Sequence, residues 1–315
     1  MADFLKGFWK SSWQTKVGLV VFLFLLLLLP GLNRYELLTF KPRGSKVRQP
    51  EIDLQEPAPY PVNTGEPAPF LTAKGVIVFD PDSGTVLYQK NDELPLLPAS
   101  TTKIMTALIA LEHYDLDDTV TISQESNSIG HSMNLVRGEE ISIENLLYGI
   151  LVESGNDAAF ALAQNYPGGY SAFVERMNYR AEVLNLNRTH YRNVSGVEQA
   201  GHTTTARDLA TLAKEALKNP IFAKMVNTKT ITIASSDQST THILRNINEL
   251  LGVVPGLIGV KTGWTENAGE CLVASTQRNG HQIITVILGS TDRFGETEIL
   301  TEWAFANHNW ENLEI

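Results

Sequence analysis

One cysteine, Cys271, stands in 315 residues. No intramolecular disulfide can form, and neither a Cys-based zinc site nor a Cys-x-x-Cys redox pair is available. The seven histidines include no His-Glu-x-x-His, the helical signature of zinc peptidases. No Gly-x-Ser-x-Gly occurs, so the nucleophile elbow of a Ser-His-Asp hydrolase is missing as well. Positive charge is scarce: 25 Lys/Arg against 35 Asp/Glu give a net charge of −10. That balance argues against a nucleic-acid backbone as partner. Charged residues make up only 19% of the chain and hydrophobic ones 43%. The chain can therefore bury a sizeable core and is too apolar for global disorder. No internal repeat is present.

What the chain does have begins with thirteen apolar residues in a row, VGLVVFLFLLLLL, from Val17 to Leu29. At 1.5 Å per residue this run reaches about 20 Å, and extension from Trp13 to Leu32 brings it to about 30 Å, the thickness of a hydrocarbon core. Lys16 then lies near an end, where it can snorkel. A secretory signal peptide is the competing reading, with Lys6, Lys10 and Lys16 as its charged region. The sequence after the run, PGLNRYELL, offers no A-x-A cleavage site, which favours an uncleaved signal anchor. The expectation is a short cytoplasmic N-terminus over 1–16 and a transmembrane anchor over 17–32. Counting positive charges slightly favours the C-terminal side as cytoplasmic, but large domains translocate regardless of so small a bias.

Seven of the fourteen prolines fall between residues 41 and 69. Proline excludes helix interiors and favours extended segments, so 33–69 is expected to be a semi-rigid linker. A Pro-rich ligand for a partner domain is the alternative use of such a stretch.

A folded domain is expected over 70–315. KGVIVFD (74–80) and TVLYQK (85–90) flank Asp80-Pro81-Asp82-Ser83-Gly84, which reads as a hairpin. Helical periodicity follows over 99–113, 143–152, 157–164, 170–184 and 204–217. Candidate strands come next: TKTITIA (228–234), LIGVKT (257–262), ECLVAST (270–276) and QIITVILG (282–289). A last helix is expected over about 294–308. Strands open the domain, helices fill the middle and strands close it. The fold class is therefore α+β: a mostly antiparallel sheet in which the opening hairpin joins the closing strands, with helices on both faces.

Three short motifs carry chemistry. Ser100-Thr101-Thr102-Lys103 starts a helix, and residues three apart share a helical face. A neutral amine there can take the serine proton, and the helix N-terminus supplies N–H groups for an oxyanion. Read alone, the motif is a helix cap with a solvated lysine. Ser154-Gly155-Asn156 lies between two apolar helices, where Asn156 would serve equally as an N-cap. A second Ser-x-Asn, Ser132-Met133-Asn134, lacks a buried helix on its N-terminal side, which favours 154–156. Lys261-Thr262-Gly263 ends an apolar strand and precedes Trp264. A lysine on an inner strand is costly unless it is paired or faces a cleft. Thr262 and the side-chain-free Gly263 would let a substrate lie along the strand edge. Cys271 reads as a buried core thiol.

Taken in order, these three motifs form the constellation of penicillin-binding proteins and class A β-lactamases. The segments PASTTKIMTALIALE (98–112), ESGNDAAFALA (153–163), NVSGVEQAGHTTTARDLATLA (193–213) and GVKTGWTENAGECLVAST (259–276) resemble the serine-type D-alanyl-D-alanine carboxypeptidases. The likeness runs from residue 70 to about 308 and implies the β-lactamase/transpeptidase-like fold. It also implies roles. Ser100 would form an acyl-enzyme with the penultimate D-alanine and Lys103 would accept its proton. Ser154 would relay a proton to the leaving D-alanine, and Asn156 would orient the substrate amide. Lys261 and Thr262 would hold the terminal carboxylate, Lys261 also keeping Lys103 neutral. The N–H groups of Ser100 and Trp264 would form the oxyanion hole, and Arg293 would assist the carboxylate.

The resemblance implies no metal or cofactor. The implied partners are a peptidoglycan stem peptide ending in D-Ala-D-Ala, β-lactam antibiotics, and the membrane through the N-terminal helix. The implied location is the plasma membrane, with the catalytic domain outside the cytoplasm. Many family members continue into a β-rich domain and an amphipathic C-terminal anchor. Here Ile315 follows soon after the last expected helix, so the N-terminal apolar run is expected to do the anchoring.

Three other functions fit parts of the pattern. A β-lactamase would need a glutamate to activate the deacylating water. Glu182-Val183-Leu184-Asn185 is the nearest match, but it falls inside a periodic helix. A D,D-endopeptidase or transpeptidase would share every motif. A penicillin-binding sensor would need an output module, for which sixteen residues before the apolar run are too few. Charge divides along the same boundary: eight of the Lys/Arg and six of the Asp/Glu lie in residues 1–70, which leaves −12 for 71–315.

Overall fold

The computed structural model describes residues 13–27, 57–123 and 130–313. The chain divides into two compact units, 1–56 and 57–315. In the first, helix α1 spans Trp13–Leu27, fifteen residues. Its apolar side chains from Val17 to Leu26 are largely exposed. No helix among the described residues is long and apolar enough to cross a membrane. Residues 1–12 of the expected cytoplasmic segment, 28–32 of the expected anchor and 33–56 of the expected linker lie outside the described residues.

The second unit is organised around one sheet. Strands β2 (Gly75–Phe79) and β3 (Val86–Lys90) form the expected hairpin. Its turn is closed by Gly84 N–H donating to Asp80 O at 2.9 Å, with Gly84 at φ +75°. The Asp80 carboxylate accepts from the N–H groups of Asp82 and Ser83, the usual turn role of aspartate. Strands β8 (Leu257–Thr265), β9 (Gly269–Arg278) and β10 (His281–Ser290) complete an antiparallel sheet of order β3-β2-β10-β9-β8. The opening hairpin thus joins the closing strands, and β8 forms one edge.

Why β10 reads as an apolar run broken only by Thr285, IITVIL, follows from its place in the sheet. Side chains alternate between faces. Ile284, Val286 and Leu288 pack into the large core with Ile104, Leu209 and Ala213, whereas Ile283 and Ile287 pack on the other face against Leu300 and Ala304. Both faces are covered by helices, so neither set is polar. Helix α6 (Ala206–Leu217) lies on the first face and α8 (Arg293–Ala306) on the second. Thr205 caps α6, its Oγ1 accepting from Asp208 N–H at 3.0 Å, worth about 1 kcal/mol.

The remaining helices form the second half of the large core. They are α2 (Lys103–His113), α3 (Ile143–Leu151), α4 (Asn156–Gln164), α5 (Gly169–Val183) and α7 (Pro220–Val226). Among the described residues three two-stranded ribbons are added: β1 (Tyr60–Asn63) with β11 (His308–Glu311), β4 (Thr119–Thr121) with β5 (Glu140–Ser142), and β6 (Thr230–Ala234) with β7 (Thr241–Arg245).

Several segments differ from the sequence-based reading. Of the expected strand 228–234, Thr230–Ala234 forms β6, which among the described strands pairs with β7 alone and stands outside the main sheet. The segment expected to be linker, 33–69, contributes β1, whose register runs from Tyr60 opposite Glu311 to Asn63 opposite His308. Pro61 is tolerated because a two-stranded ribbon leaves one side of each strand unpaired. The helix expected from Ala99 begins as a 3-10 turn over Ala99–Thr102 and becomes α-helical only at Lys103. Thr101 and Thr102 donate their hydroxyls back to Pro98 O and Ala99 O, a local competitor to the α-helical pattern.

Candidate active site

The 3-10 turn, the loop before α4 and the edge strand β8 converge on one cleft of about 580 Å³. Each supplies one of the three motifs. Ser100, Ser154, Asn156, Thr262, Gly263 and Trp264 line the cleft, and Arg293 lies at its wall. Lys103 and Lys261 lie beneath it, 0% and 2% exposed. All nine residues singled out for the three motifs and the carboxylate, Arg293 included, are therefore in one place.

Lys103 is held by three oxygens. Its Nζ lies 2.9 Å from Ser100 Oγ, 2.6 Å from Asn156 Oδ1 and 2.9 Å from Ser195 O. Burial, and then the charge of Lys261, hold the Lys103 amine well below the usual lysine range. A neutral amine has two N–H bonds and one lone pair. The Ser195 carbonyl and the Asn156 carbonyl oxygen can only accept, so they take both N–H bonds and the lone pair faces the Ser100 hydroxyl.

Lys261 makes a second buried link. Its Nζ donates to Ser154 Oγ at 2.9 Å and to Thr262 O at 3.0 Å. Burial and the guanidinium of Arg293 bring its pKa down to about 7. Ser154 takes φ +64°, and Gly155 at the N-cap makes no side-chain cap bond. Asn156 is the first helical residue rather than the cap, and its side chain is turned to Lys103 instead. Asp157 beside it fixes the loop opposite, accepting from Ser132 Oγ at 2.7 Å and from the N–H groups of Met133 and Leu135 at 3.0 Å each. The second Ser-x-Asn is thus a structural brace for the first.

Gly263 is the point of closest approach between strand and turn. A Cβ there would stand 2.9 Å from Ser100 N and 3.0 Å from Ala99 Cβ. Glycine lets β8 pass against the residue that presents Ser100. Arg293, at the start of α8, donates from Nη1 to Gly263 O at 3.1 Å. Thr262 Oγ1 is buried with no hydrogen-bond partner among the described residues, as expected of a donor facing a ligand position.

Sequence reading missed the loop 193–198. Asn193 Oδ1 accepts from Gly196 N–H at 2.7 Å and Ser195 N–H at 3.2 Å, and Thr106 Oγ1 donates to Val194 O at 2.7 Å. These bonds aim Ser195 O at Lys103. The loop carried a signal, since NVSG is part of a family-like segment, but a backbone carbonyl has no residue type to betray it. His131 and Glu198 also line the cleft. Burial followed by the charge of Lys261 lowers the His131 pKa. Glu182 lies on the exposed side of α5 and away from the cleft lining. Cys271 is fully buried, and burial pushes its thiol up to about 11.

A hydroxyl beside an amine of lowered pKa, at an open strand edge with buried cations, can carry out acyl transfer through a serine ester. A family model described as D-alanyl-D-alanine carboxypeptidase matches residues 62–292, and the chain belongs to that family. The D-alanyl-D-alanine carboxypeptidase DacF of Bacillus subtilis is 35% identical over 250 residues, covering 76% of this chain. This chain spans 64% of that relative's length. A D-alanyl-D-alanine endopeptidase of Pseudomonas aeruginosa is 35% identical over 240 residues, 74% of this chain and 77% of its own. The crystal structure of a Streptomyces DD-transpeptidase superposes with a TM-score of 0.73 at 33% identity, over 76% of this chain and 100% of that one.

Proposed function

We propose that this protein is a membrane-anchored serine D,D-carboxypeptidase that removes the terminal D-alanine from peptidoglycan stem peptides and is acylated by β-lactams. The observation that carries this reading is the pair of lysine–serine contacts, Lys103 to Ser100 and Lys261 to Ser154, both 2.9 Å. One pair serves attack and the other serves departure of the leaving group.

Lys103 Nζ takes the proton of Ser100 Oγ as that oxygen adds to the carbonyl of the penultimate D-alanine. The oxyanion forms against the N–H groups of Ser100 and Trp264. Collapse breaks the C–N bond, and the nitrogen of the departing D-alanine receives a proton through Ser154 Oγ. Asn156 orients the substrate amide. Lys261, Thr262 and Arg293 hold the terminal carboxylate, Arg293 from the strand edge where it meets Gly263 O. Water then adds to the Ser100 ester and frees both the shortened peptide and the serine.

The N-terminal apolar run is the anchor in this reading and the Pro-rich stretch its spacer. The exposed apolar surface of α1 supports that use. The catalytic unit then works outside the plasma membrane, where its substrate lies. A D,D-endopeptidase or transpeptidase uses the same acyl-enzyme with a cross-linked donor or an amine acceptor.

Mass spectrometry after incubation with a stem pentapeptide tests the reading. Loss of one alanine is expected from the wild type and no change from Ser100→Ala. A labelled β-lactam should attach to the wild type only. Covalent labelling of Ser100→Ala would overturn the nucleophile assignment, and an untouched pentapeptide beside a cleaved cross-linked dimer would favour the endopeptidase.

A further inference from the structure

Ala99, directly before the serine, stands at φ +47°. A residue with a Cβ seldom enters that region, so its surroundings must hold it there. The holding groups are visible. Thr102 Oγ1 donates to Ala99 O at 2.9 Å, and His202 Nε2 lies 2.9 Å from the same Thr102 Oγ1. Gly196 closes in from the side: a Cβ on it would fall 1.8 Å from Ala99 O.

The hydrogens of this chain are determined by elimination. Arg192 N–H donates to His202 Nδ1 at 3.2 Å. An N–H only donates, so Nδ1 carries no proton and Nε2 does. The Thr102 hydroxyl gives its one proton to Ala99 O, so its oxygen receives the His202 Nε2–H. A threonine hydroxyl left alone rotates, whereas the His202 N–H on its oxygen favours the rotamer that aims its proton at Ala99 O. His202 is 1% exposed and its ring meets that of Tyr191 edge-on at 5.8 Å. Burial brings its pKa down to about 4, so this tautomer persists through the neutral range.

The peptide joining Ala99 to Ser100 is planar and trans, so its C=O and N–H point in opposite directions. Its oxygen is clamped by Thr102 and Gly196. Its nitrogen faces Gly263 across the cleft wall, 2.9 Å from where a Cβ of Gly263 would sit. Whatever fixes the oxygen fixes the direction of the Ser100 N–H.

We propose that His202 is a positioning residue for the oxyanion hole, gripping through Thr102 the carbonyl end of the peptide whose N–H end receives the substrate oxygen. His202 does not line the cleft and acts through Thr102. Its contribution is to remove a wobble from a donor whose value depends on being aimed before the reaction starts. This inference rests on Ser100 being the nucleophile with its own N–H in the oxyanion hole.

The test compares His202→Ala, His202→Gln and Thr102→Val in the full chain. Acylation by a labelled penicillin is timed per active site, counted from the final label bound. His202→Ala should acylate about tenfold more slowly or worse. Its kcat for D-alanine release should fall by the same factor, with KM within about threefold. Affinity for a peptidyl boronate, whose adduct places an oxygen in the hole, should fall with kcat. A purely structural residue would lower the fraction of active sites and leave these ratios alone. His202→Gln, whose amide N–H can reach Thr102, should regain most of the lost rate. Thr102→Val should match His202→Ala, and the double variant should be no slower than either.

A His202→Ala enzyme that acylates within about twofold of wild type overturns the proposal, as does a double variant whose losses multiply. If His202→Ala does not fold, the nearly isosteric Thr102→Val decides. A wild type that is acylated but releases no D-alanine would sink the substrate reading alone, since the acylation arm still reports on His202.

Discussion

Gly263→Ala isolates one contact and asks how tightly the site is built. Gly263 lies on β8 where the strand crosses the turn that bears Ser100. An added Cβ would lie 2.9 Å from Ser100 N, 3.0 Å from Ala99 Cβ and 3.2 Å from Pro98 O. Two of those atoms are backbone and the third is a Cβ, so no flexible side chain can swing aside. Ordinary contact begins near 3.4 Å, so strand and turn must part by about half an ångström. Gly263 does not take a positive φ, so alanine meets no backbone strain and the contact is the main cost, offset in part by the reduced freedom of the unfolded chain. Overpacking of this kind costs about 1–3 kcal/mol, a few degrees of melting temperature in a unit of this size.

Catalysis should suffer far more than stability. The turn and strand carry the two N–H groups assigned to the oxyanion hole, and such groups must hold their places to about 0.5 Å. An error of about 1 Å costs about a hundredfold. Acylation of Gly263→Ala by a labelled penicillin is therefore expected to slow by roughly 10- to 100-fold. The assay is a time course of label incorporation beside a thermal melt of the same preparation. A variant that melts like wild type and acylates at the wild-type rate would show that the strand and turn are not coupled as described.

Lys103→Arg should abolish most acylation, roughly 10²- to 10⁴-fold, because a guanidinium stays protonated and cannot accept the Ser100 proton; circular dichroism should show an intact fold, and rapid acylation would disprove the lysine's role as base. His202 titrates at about 4 when folded and near 6.5 when unfolded, so the unfolded chain binds the extra proton in between. Its contribution to stability is whole above pH 6.5, is lost as pH falls toward 4, and amounts to about 3 kcal/mol. Melting temperatures measured from pH 7 to 4.5 should fall more steeply for wild type than for His202→Gln, and equal slopes would contradict the assignment. Glu182→Gln should leave the lifetime of the penicillin-derived acyl-enzyme unchanged within about twofold, since Glu182 is exposed and away from the cleft; a lengthened lifetime would revive the β-lactamase reading.

Much of this was legible in the sequence because it was written in residue types. The three motifs, the Asp80–Gly84 turn and the apolar runs of β9 and β10 each pair a local composition with a physical need. The sheet with helices on both faces followed from the order of those elements. What escaped notice was written in backbone or in distance. Ser195 reaches Lys103 through its carbonyl, which any residue owns. The four-residue strands β1 and β11 lie 245 positions apart at their closest register pair, and neither HNWE nor YPVN announces a strand. The TITIA stretch does announce one, but apolar alternation says nothing about which sheet receives it, and its partner β7 exposes every other residue. Asn156 was ambiguous between cap and ligand, a choice decided only by Lys103 arriving from another helix.

The two buried lysines show how an acidic unit can keep a base. Removing an ammonium from water costs several kcal/mol, and a carboxylate partner is the usual remedy. That remedy would defeat the proposed chemistry, since an ion pair would hold Lys103 protonated and unable to accept the Ser100 proton. The carboxylate that acts on it is Asp157, which pulls its pKa up as the least of three influences. Asp157 is occupied elsewhere, its oxygens filled by Ser132 Oγ–H and by the N–H groups of Met133, Leu135 and Ala158. Lys103 meets instead three neutral oxygens, from Ser100, Asn156 and Ser195. These satisfy its hydrogen bonds without supplying the negative charge that would keep its proton. The same loop that Asp157 braces gives His131 O to Asn156 N–H at 2.8 Å, so the carboxylate is spent on placing the amide that replaces it beside the base.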